Sequence, residues 1–439
     1  MKHSLSRRDF LYMSGICALG AATGCAKNPV TGEQQFMLLS KSSEIKLDKE
    51  RSPLQFSNDY GPTDDAALNA YLGETGKSMA QYTHRPDMPY SFRCVDAVYV
   101  NAYAFPGGSI ACTRGILLTL ENEAELAALL GHEMGHVNAR HSASRMSKGM
   151  AVSLLSSGLA AYAASFGKGY GEIAAGMGGI ASGALLAFYS REDERQADAL
   201  GMEYMTRSGY SPKGMVGLQQ HLVDLHNAKP SATELLFASH PMSEERLETA
   251  KEEMRYNYAK ATSNPVYRDR YMDNTATLRA KKDGIEKLQT GAKYMVKKDF
   301  TEAESHFSAA LKQIPDDYAG NLMMAKCQLA QGREAEAKRY ADAAHSIKPT
   351  EPQADQVIGL ASLTQNDYPA ALRAFHSYEK ALPGNPSTAF YKGLALEGMG
   401  DRSAAAWEYN RYITATGGQG QRANWAASKL DDWGYAPGR

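Results

Sequence analysis

Cysteine is scarce in this sequence, and charge almost cancels. The chain of 439 residues holds five cysteines and a net charge of −1 at pH 7. That balance suggests no polyanion-binding role, and nothing resembles a nucleic-acid-binding motif. Cys17 falls in an N-terminal leader. Cys94 and Cys112 lie in adjacent strand-like segments and could pair in an oxidising compartment. Cys327 reads as a small buried apolar residue. A long apolar run is missing as well. The leader has a basic start, a modest apolar run and small residues before Cys25. It is too short and too glycine-rich for a comfortable membrane span, and reads as an export signal over residues 1–24.

What the sequence does contain is a helix with histidines on it. In "ELAALLGHEMGHVNARH", Leu126, Leu129, Leu130, Met134 and Val137 recur at helical spacing. Asn122 and Glu125 form a potential capping box. His132 and His136 are one turn apart on one face, close enough to share an ion, with Glu133 about 100° round the axis beside it. This H-E-x-x-H pattern suits two neutral imidazoles on zinc and a glutamate that takes a proton from the attacking water. The apolar flanks make unliganded histidines costly, by about 1–3 kcal/mol each. His141 falls off the shared face and reads as a surface residue. A third ligand is offered by "FYSREDERQADALGMEYMTRSGYSP", whose helix Ser190 and Asp193 can cap and Gly209 with Pro212 can end. Glu194 and Asp198 share one face there, suiting a ligand and a residue that orients a ligating imidazole. Glu192 and Asp193 read as solvated first-turn charges.

These two stretches, with "VNAYAFPGG" at 100–108, resemble the zinc metallopeptidase family that includes the HtpX-type, CAAX-type and BepA-type endopeptidases. The resemblance runs roughly from Cys25 to Thr249, and "GCAKNPVTGEQQF" is similar to the lipoprotein members. It implies His132, His136 and Glu194 as ligands of one Zn2+ per chain, Glu133 as general base and Asp198 as supporting acid. It also implies that Asn101 and Ala102 face the substrate; from the residue alone, Asn101 would be a polar strand end. His240 lies in a loop before a helix that Ser243 would cap, and a lone loop histidine is usually solvated. His-Pro at this place resembles the family's loop after the third-ligand helix. Two roles are open for His240: the fourth zinc position at rest, or a hydrogen bond to the oxyanion. The leader's "SRRDFL" resembles a twin-arginine signal, and the residues before Cys25 a lipobox with alanine in place of the usual leucine. Lipid on Cys25 and simple cleavage are the alternatives; both place the mature protein outside the cytoplasm, and Ala26 favours the outer membrane by resemblance.

Residues 89–118 read as strands broken by a turn at Pro106-Gly107-Gly108, giving a short sheet whose edge could pair with an extended peptide. Segments 149–167 and 173–190 carry no charge and are rich in Ala, Gly and Ser. They could form a membrane hairpin or a close-packed hairpin over the cleft. The second is favoured because Ala and Gly offer little apolar area; its glycines would allow a mobile lid.

The C-terminal third repeats itself. Gly291, Ala325, Gly359 and Gly393 recur every 34 residues, as do Ala303, Ala337, Ala371 and Ala405, and Pro315, Pro349 and Pro383. That period is the tetratricopeptide signature. Four repeats are expected over 284–417, a capping helix over 418–439, and a charged linker from Tyr256 to Asp283. The sequence therefore predicts an α+β, mostly α chain: a zincin-type metallopeptidase domain at 25–275, then an α-solenoid. The expected activity is a zinc endopeptidase of the bacterial envelope. By resemblance, its substrates would be misfolded or stalled envelope proteins, and its repeats would dock substrate or outer-membrane assembly machinery. The alternative is an envelope chaperone or adaptor working through the repeats, against which the intact ligand set argues.

Overall fold

The computed structural model describes residues 25–156, 189–228, 231–241 and 244–435. The export signal, most of the uncharged hairpin and Ser243 lie outside the described residues. Among those described, no helix is long and apolar enough to cross a membrane.

The chain opens with an antiparallel hairpin, β1 (Cys25–Lys27) and β2 (Gln34–Phe36). Asn28 Oδ1 accepts from the backbone of Val30 and Thr31 and closes the turn. Helices α1 (Lys41–Asn58) and α2 (Ala66–Ala80) follow, capped by Ser40 and Asp65. Then comes a three-stranded sheet of β3 (Ser91–Val95), β4 (Ala102–Ala104) and β5 (Ser109–Thr113), in the order β3-β5-β4. β3 runs parallel to β5 and β4 antiparallel to it, so β4 is an edge. Cys94 and Cys112 are register partners but remain free, buried thiols.

Two sequence expectations are corrected here. Residues 114–119 are not strand but helix α3 (Arg114–Thr119), because Thr113 turns its hydroxyl back to accept from Ile116 N and starts a helix. Residues 96–101 are likewise irregular chain between strands.

Helix α4 (Glu123–Ala139) carries H-E-x-x-H and is buried along its whole length. Asn122 caps it, and Glu125 reaches back to the backbone of Glu121, a variant of the expected box. Helix α5 (His141–Ser156) follows, then α6 (Arg191–Arg207), opened by the Ser190–Asp193 capping box. α4 and α6 cross at backbone contact. A Cβ on Gly135 would lie 2.9 Å from Ala197 Cα, and one on Gly201 2.8 Å from His132 N. Small residues thus set how closely the two helices approach. Helices α7 (Lys213–Ala228), α8 (Glu234–Ser239) and α9 (Glu244–Tyr256) wrap the open side.

The expected linker is folded. Helices α10 (Arg268–Asn274) and α11 (Ala276–Ala280) lie on the peptidase core. Tyr271 is wholly buried and donates to Leu117 O at 2.7 Å, Arg270 pairs with buried Glu123, and Arg279 donates to Leu120 O. The charges that suggested a linker are those that dock it. Four helix pairs follow: α12 (Lys282–Val296) with α13 (Phe300–Leu311), α14 (Tyr318–Ala330) with α15 (Glu334–Ile347), α16 (Gln353–Thr364) with α17 (Tyr368–Ala381), and α18 (Pro386–Gly398) with α19 (Arg402–Ala415). A last helix, α20 (Gln421–Asp432), ends the stack. Within the pairs, Gly291, Gly359 and Gly393 face the rings of Phe307, Phe375 and Tyr409; in the second pair the equivalent positions are Ala325 and Ala341. The crossing keeps its volume by trading a ring against glycine.

The helical repeats share the core of the N-terminal domain. One apolar cluster runs from Phe56 through the sheet and α4 to Val357. Across this seam Arg114 forks onto Asp317, Lys348 Nζ donates to Asp96 Oδ2 at 2.8 Å, Gln289 Nε2 donates to Val98 O at 2.6 Å, and Ser57 meets Glu351.

Candidate metal centre

Helix periodicity places His132 and His136 on the face of α4 turned to α6, and the close crossing brings Glu194 to them. His132 Nε2 and His136 Nε2 are 3.0 Å apart. Glu194 lies 3.6 Å from the first through Oε2 and 3.3 Å from the second through Oε1. His240, the residue after α8, joins from the far side, with Nδ1 3.0 Å from Glu194 Oε1 and 3.5 Å from His132 Nε2. One donor atom from each of these four buried residues lies within 4.8 Å of all the others.

The surrounding bonds fix how the donors point. His132 Nδ1 is 2.8 Å from Asp198 Oδ1, a carboxylate that can only accept, so a neutral His132 carries its proton there and presents Nε2 bare. Asp198 is held in turn by Gln219 at 3.0 Å and by both arms of Arg246, at 2.7 and 2.8 Å. Arg246 Nη1 also lies 2.7 Å from Glu194 Oε2. Burial works to raise both carboxyls. Arg246 outweighs it at Asp198, and His240, Arg246 and His132 outweigh it at Glu194, so both are held below the ordinary carboxylate range. Burial pushes His136 well below the usual histidine value, keeping it neutral. Tyr189 stacks on the His136 ring at 3.6 Å and 17°.

Glu133 is buried beside the cluster, and its Oε2 has no hydrogen-bond partner. Burial raises its pKa, which strengthens it as a base. The Nε2 atoms of His132 and His136 face each other at 3.0 Å beside the Glu194 carboxylate, an arrangement that a cation between them would satisfy. The donor set fits a zinc-like divalent cation, with His132, His136 and Glu194 as its protein ligands.

Asn101 immediately precedes the edge strand β4 and Ala102 begins it, both buried. The side-chain nitrogen and oxygen of Asn101 have no partner, while its backbone is tied to Thr113. Ala104, Phe105 and Pro106, at the end of β4, line a small crevice together with His136. Cys25 opens β1.

Three residues of the centre escaped the sequence reading. His141 is not a surface residue: the helix ends at Ala139, and the imidazole of His141 is buried with Nδ1 2.9 Å from His136 Nδ1. Arg246 and Gln219 reach Asp198 from 48 and 21 residues away, with no motif to mark them.

An H-E-x-x-H helix, a glutamate from a second helix and an acid behind the first histidine define a metallopeptidase. Residues 66–254 match Peptidase family M48, and residues 295–360 match a tetratricopeptide repeat. The chain therefore carries an M48 metallopeptidase domain followed by tetratricopeptide repeats. It is 26% identical to the beta-barrel assembly-enhancing protease of Yersinia pestis over 78% of this chain and 75% of that one. It is 28% identical to the protein of that name from Escherichia coli strain K12, over 43% of this chain and 39% of that one. It is 32% identical to the metalloprotease YcaL of the same strain, over 36% and 59%.

Proposed function

We propose that this protein is a zinc endopeptidase of the bacterial cell envelope that cleaves misassembled or unfolded envelope proteins. The observation that carries the activity is the convergence of His132, His136 and Glu194 beside an unpartnered, buried Glu133. Bound there, zinc would supply Lewis-acid polarisation of the scissile carbonyl and lower the pKa of water. Glu133 takes the proton from the attacking water and passes it to the leaving amine. Asp198 keeps His132 in its ligating tautomer. His240, already within reach of the cluster, serves either as a fourth donor at rest or as a donor to the oxyanion.

An extended substrate would add to the unpaired edge of β4, whose last residue lines a crevice with His136. Asn101, with no partner for its amide, would bond that substrate, and Ala102 would lie alongside. The envelope setting rests on the export-like leader, on Cys25 as lipid acceptor, and on relatives whose names tie them to beta-barrel assembly. The repeats would hold substrate or outer-membrane assembly partners, and the lipid would anchor the chain to the outer membrane from the periplasmic side. Chelation tests the metal: stripping the protein should abolish hydrolysis of unfolded casein, and one equivalent of zinc should restore it. Undiminished cleavage after the metal is removed would refute the reading.

A further inference from the structure

Helix α4 ends in a way that returns a third histidine of the same stretch to the cluster. Arg140 takes φ = +62°, in the left-handed region, which is uncommon for a residue other than glycine. It is pinned there. Nε donates to Glu44 Oε1 at 2.9 Å and Nη2 to Leu39 O at 2.6 Å. Arg85 shares the same buried carboxylate at 2.6 Å and also donates to Val137 O. In an unbroken helix, His141 would stand about 140° round the axis from His136. The break folds it back until the two Nδ1 atoms are 2.9 Å apart. On its other side, His141 Nε2 lies 2.9 Å from Gln196 Oε1 and 3.5 Å from Asp193 Oδ1.

We infer that His141 is a positioning residue: its Nδ1 accepts a hydrogen bond from His136 and so selects the tautomer that leaves His136 Nε2 bare for a metal. The inference rests on the metal site proposed above. The proton count carries it. Gln196 Oε1 and the Asp193 carboxylate can only accept, so His141 Nε2 bears a proton. An imidazole with its one N–H held there has its Nδ1 bare. His136 Nδ1 must then be the donor, and His136 Nε2 keeps its lone pair facing His132 and Glu194. Asp198 brings His132 to the same state directly. Tyr189 fixes the plane of the His136 ring by stacking, but a ring face cannot choose which nitrogen is protonated. The relay runs from the first turn of α6 through His141 to α4, so the helix that supplies Glu194 also sets the second histidine.

The test compares His141→Asn with His141→Gln in the full chain loaded with zinc. Asparagine puts its amide oxygen near the position of Nδ1, and glutamine puts it near Nε2. The readouts are the rate at which zinc passes to an excess of a colorimetric chelator and the melting temperature of the metal-free protein. The asparagine variant should release zinc close to the wild-type rate. The glutamine variant should release it about 10–100-fold faster, the usual cost of losing such a partner, with the two metal-free melting temperatures equal. Equal release from the two variants would overturn the positioning role. A wild type that binds no zinc would instead overturn the metal-site reading beneath it.

Discussion

Arg246 holds more of the site together than any motif residue. It is 5% exposed and faces two carboxylates, Asp198 and Glu194; it is the main influence that lowers the first and acts beside His240 and His132 on the second. Removing one member of a buried charge cluster costs about 3–5 kcal/mol, because the remaining charges lose their compensation. Arg246→Ala should therefore lower unfolding stability by that order and reduce zinc occupancy, measured by urea unfolding and metal analysis. Arg246→Lys keeps the charge but not the fork, and should fall between. His132, His136 and Glu194, which the fold brings together, were legible in the sequence because helical spacing puts the two histidines on one face and the capping pattern locates the helix of the glutamate. Arg246 and His141 were not. One reaches the site only through tertiary folding. The other depends on a left-handed arginine that nothing local announces, since glycine or asparagine would be the usual sign.

At the level of elements, the site is made by two helices that touch backbone to backbone. Gly135 has Ala197 Cα 2.9 Å from where its Cβ would be. Alanine is the better helix former by about 1 kcal/mol, yet Gly135→Ala should destabilise, by about 1–3 kcal/mol for the overpacking, and should weaken zinc binding by moving α6 away. Gly73, inside α2, has nothing within 4 Å of that position. Gly73→Ala is the control and should leave zinc binding unchanged and stability equal or higher. Thermal melts with zinc titration separate the two. Helices with strong periodicity and caps, α4 and α6 among them, were readable from sequence. The apolar run after β5 was not, because a short apolar stretch fits strand and helix alike and only the Thr113 cap decided it. The segment taken for a linker failed for a related reason: charge marks solvent on average, but Arg270 and Arg279 spend theirs on Glu123 and a backbone carbonyl.

For the whole molecule, the 34-residue period showed the repeats but could not show that they share a core with the peptidase, because periodicity describes what each unit does with its neighbours in the stack. The seam is held by buried charge, with Arg114 on Asp317 at its centre. Burial alone would raise the Asp317 carboxyl, and Arg114 holds it below its ordinary value of 3.8. A depressed folded pKa contributes stability that is fully present above the unfolded value and is lost as pH falls through the folded one. Asp317→Asn should thus destabilise at pH 7 by about 3 kcal/mol, near the low end for a broken buried pair, since Asp96 remains 3.9 Å from Arg114. The gap between variant and wild type should narrow below about pH 4. Urea unfolding at pH 7 and pH 3 measures both.

Glu133 is the residue to test most directly, as the proposed base that does not itself hold the metal. Zinc content and casein hydrolysis should be measured on the same sample of Glu133→Gln and of wild type. The variant should hold zinc as the wild type does, while cleavage falls by about 10²–10⁴-fold or more. Loss of zinc together with activity, or cleavage at the wild-type rate, would contradict that role.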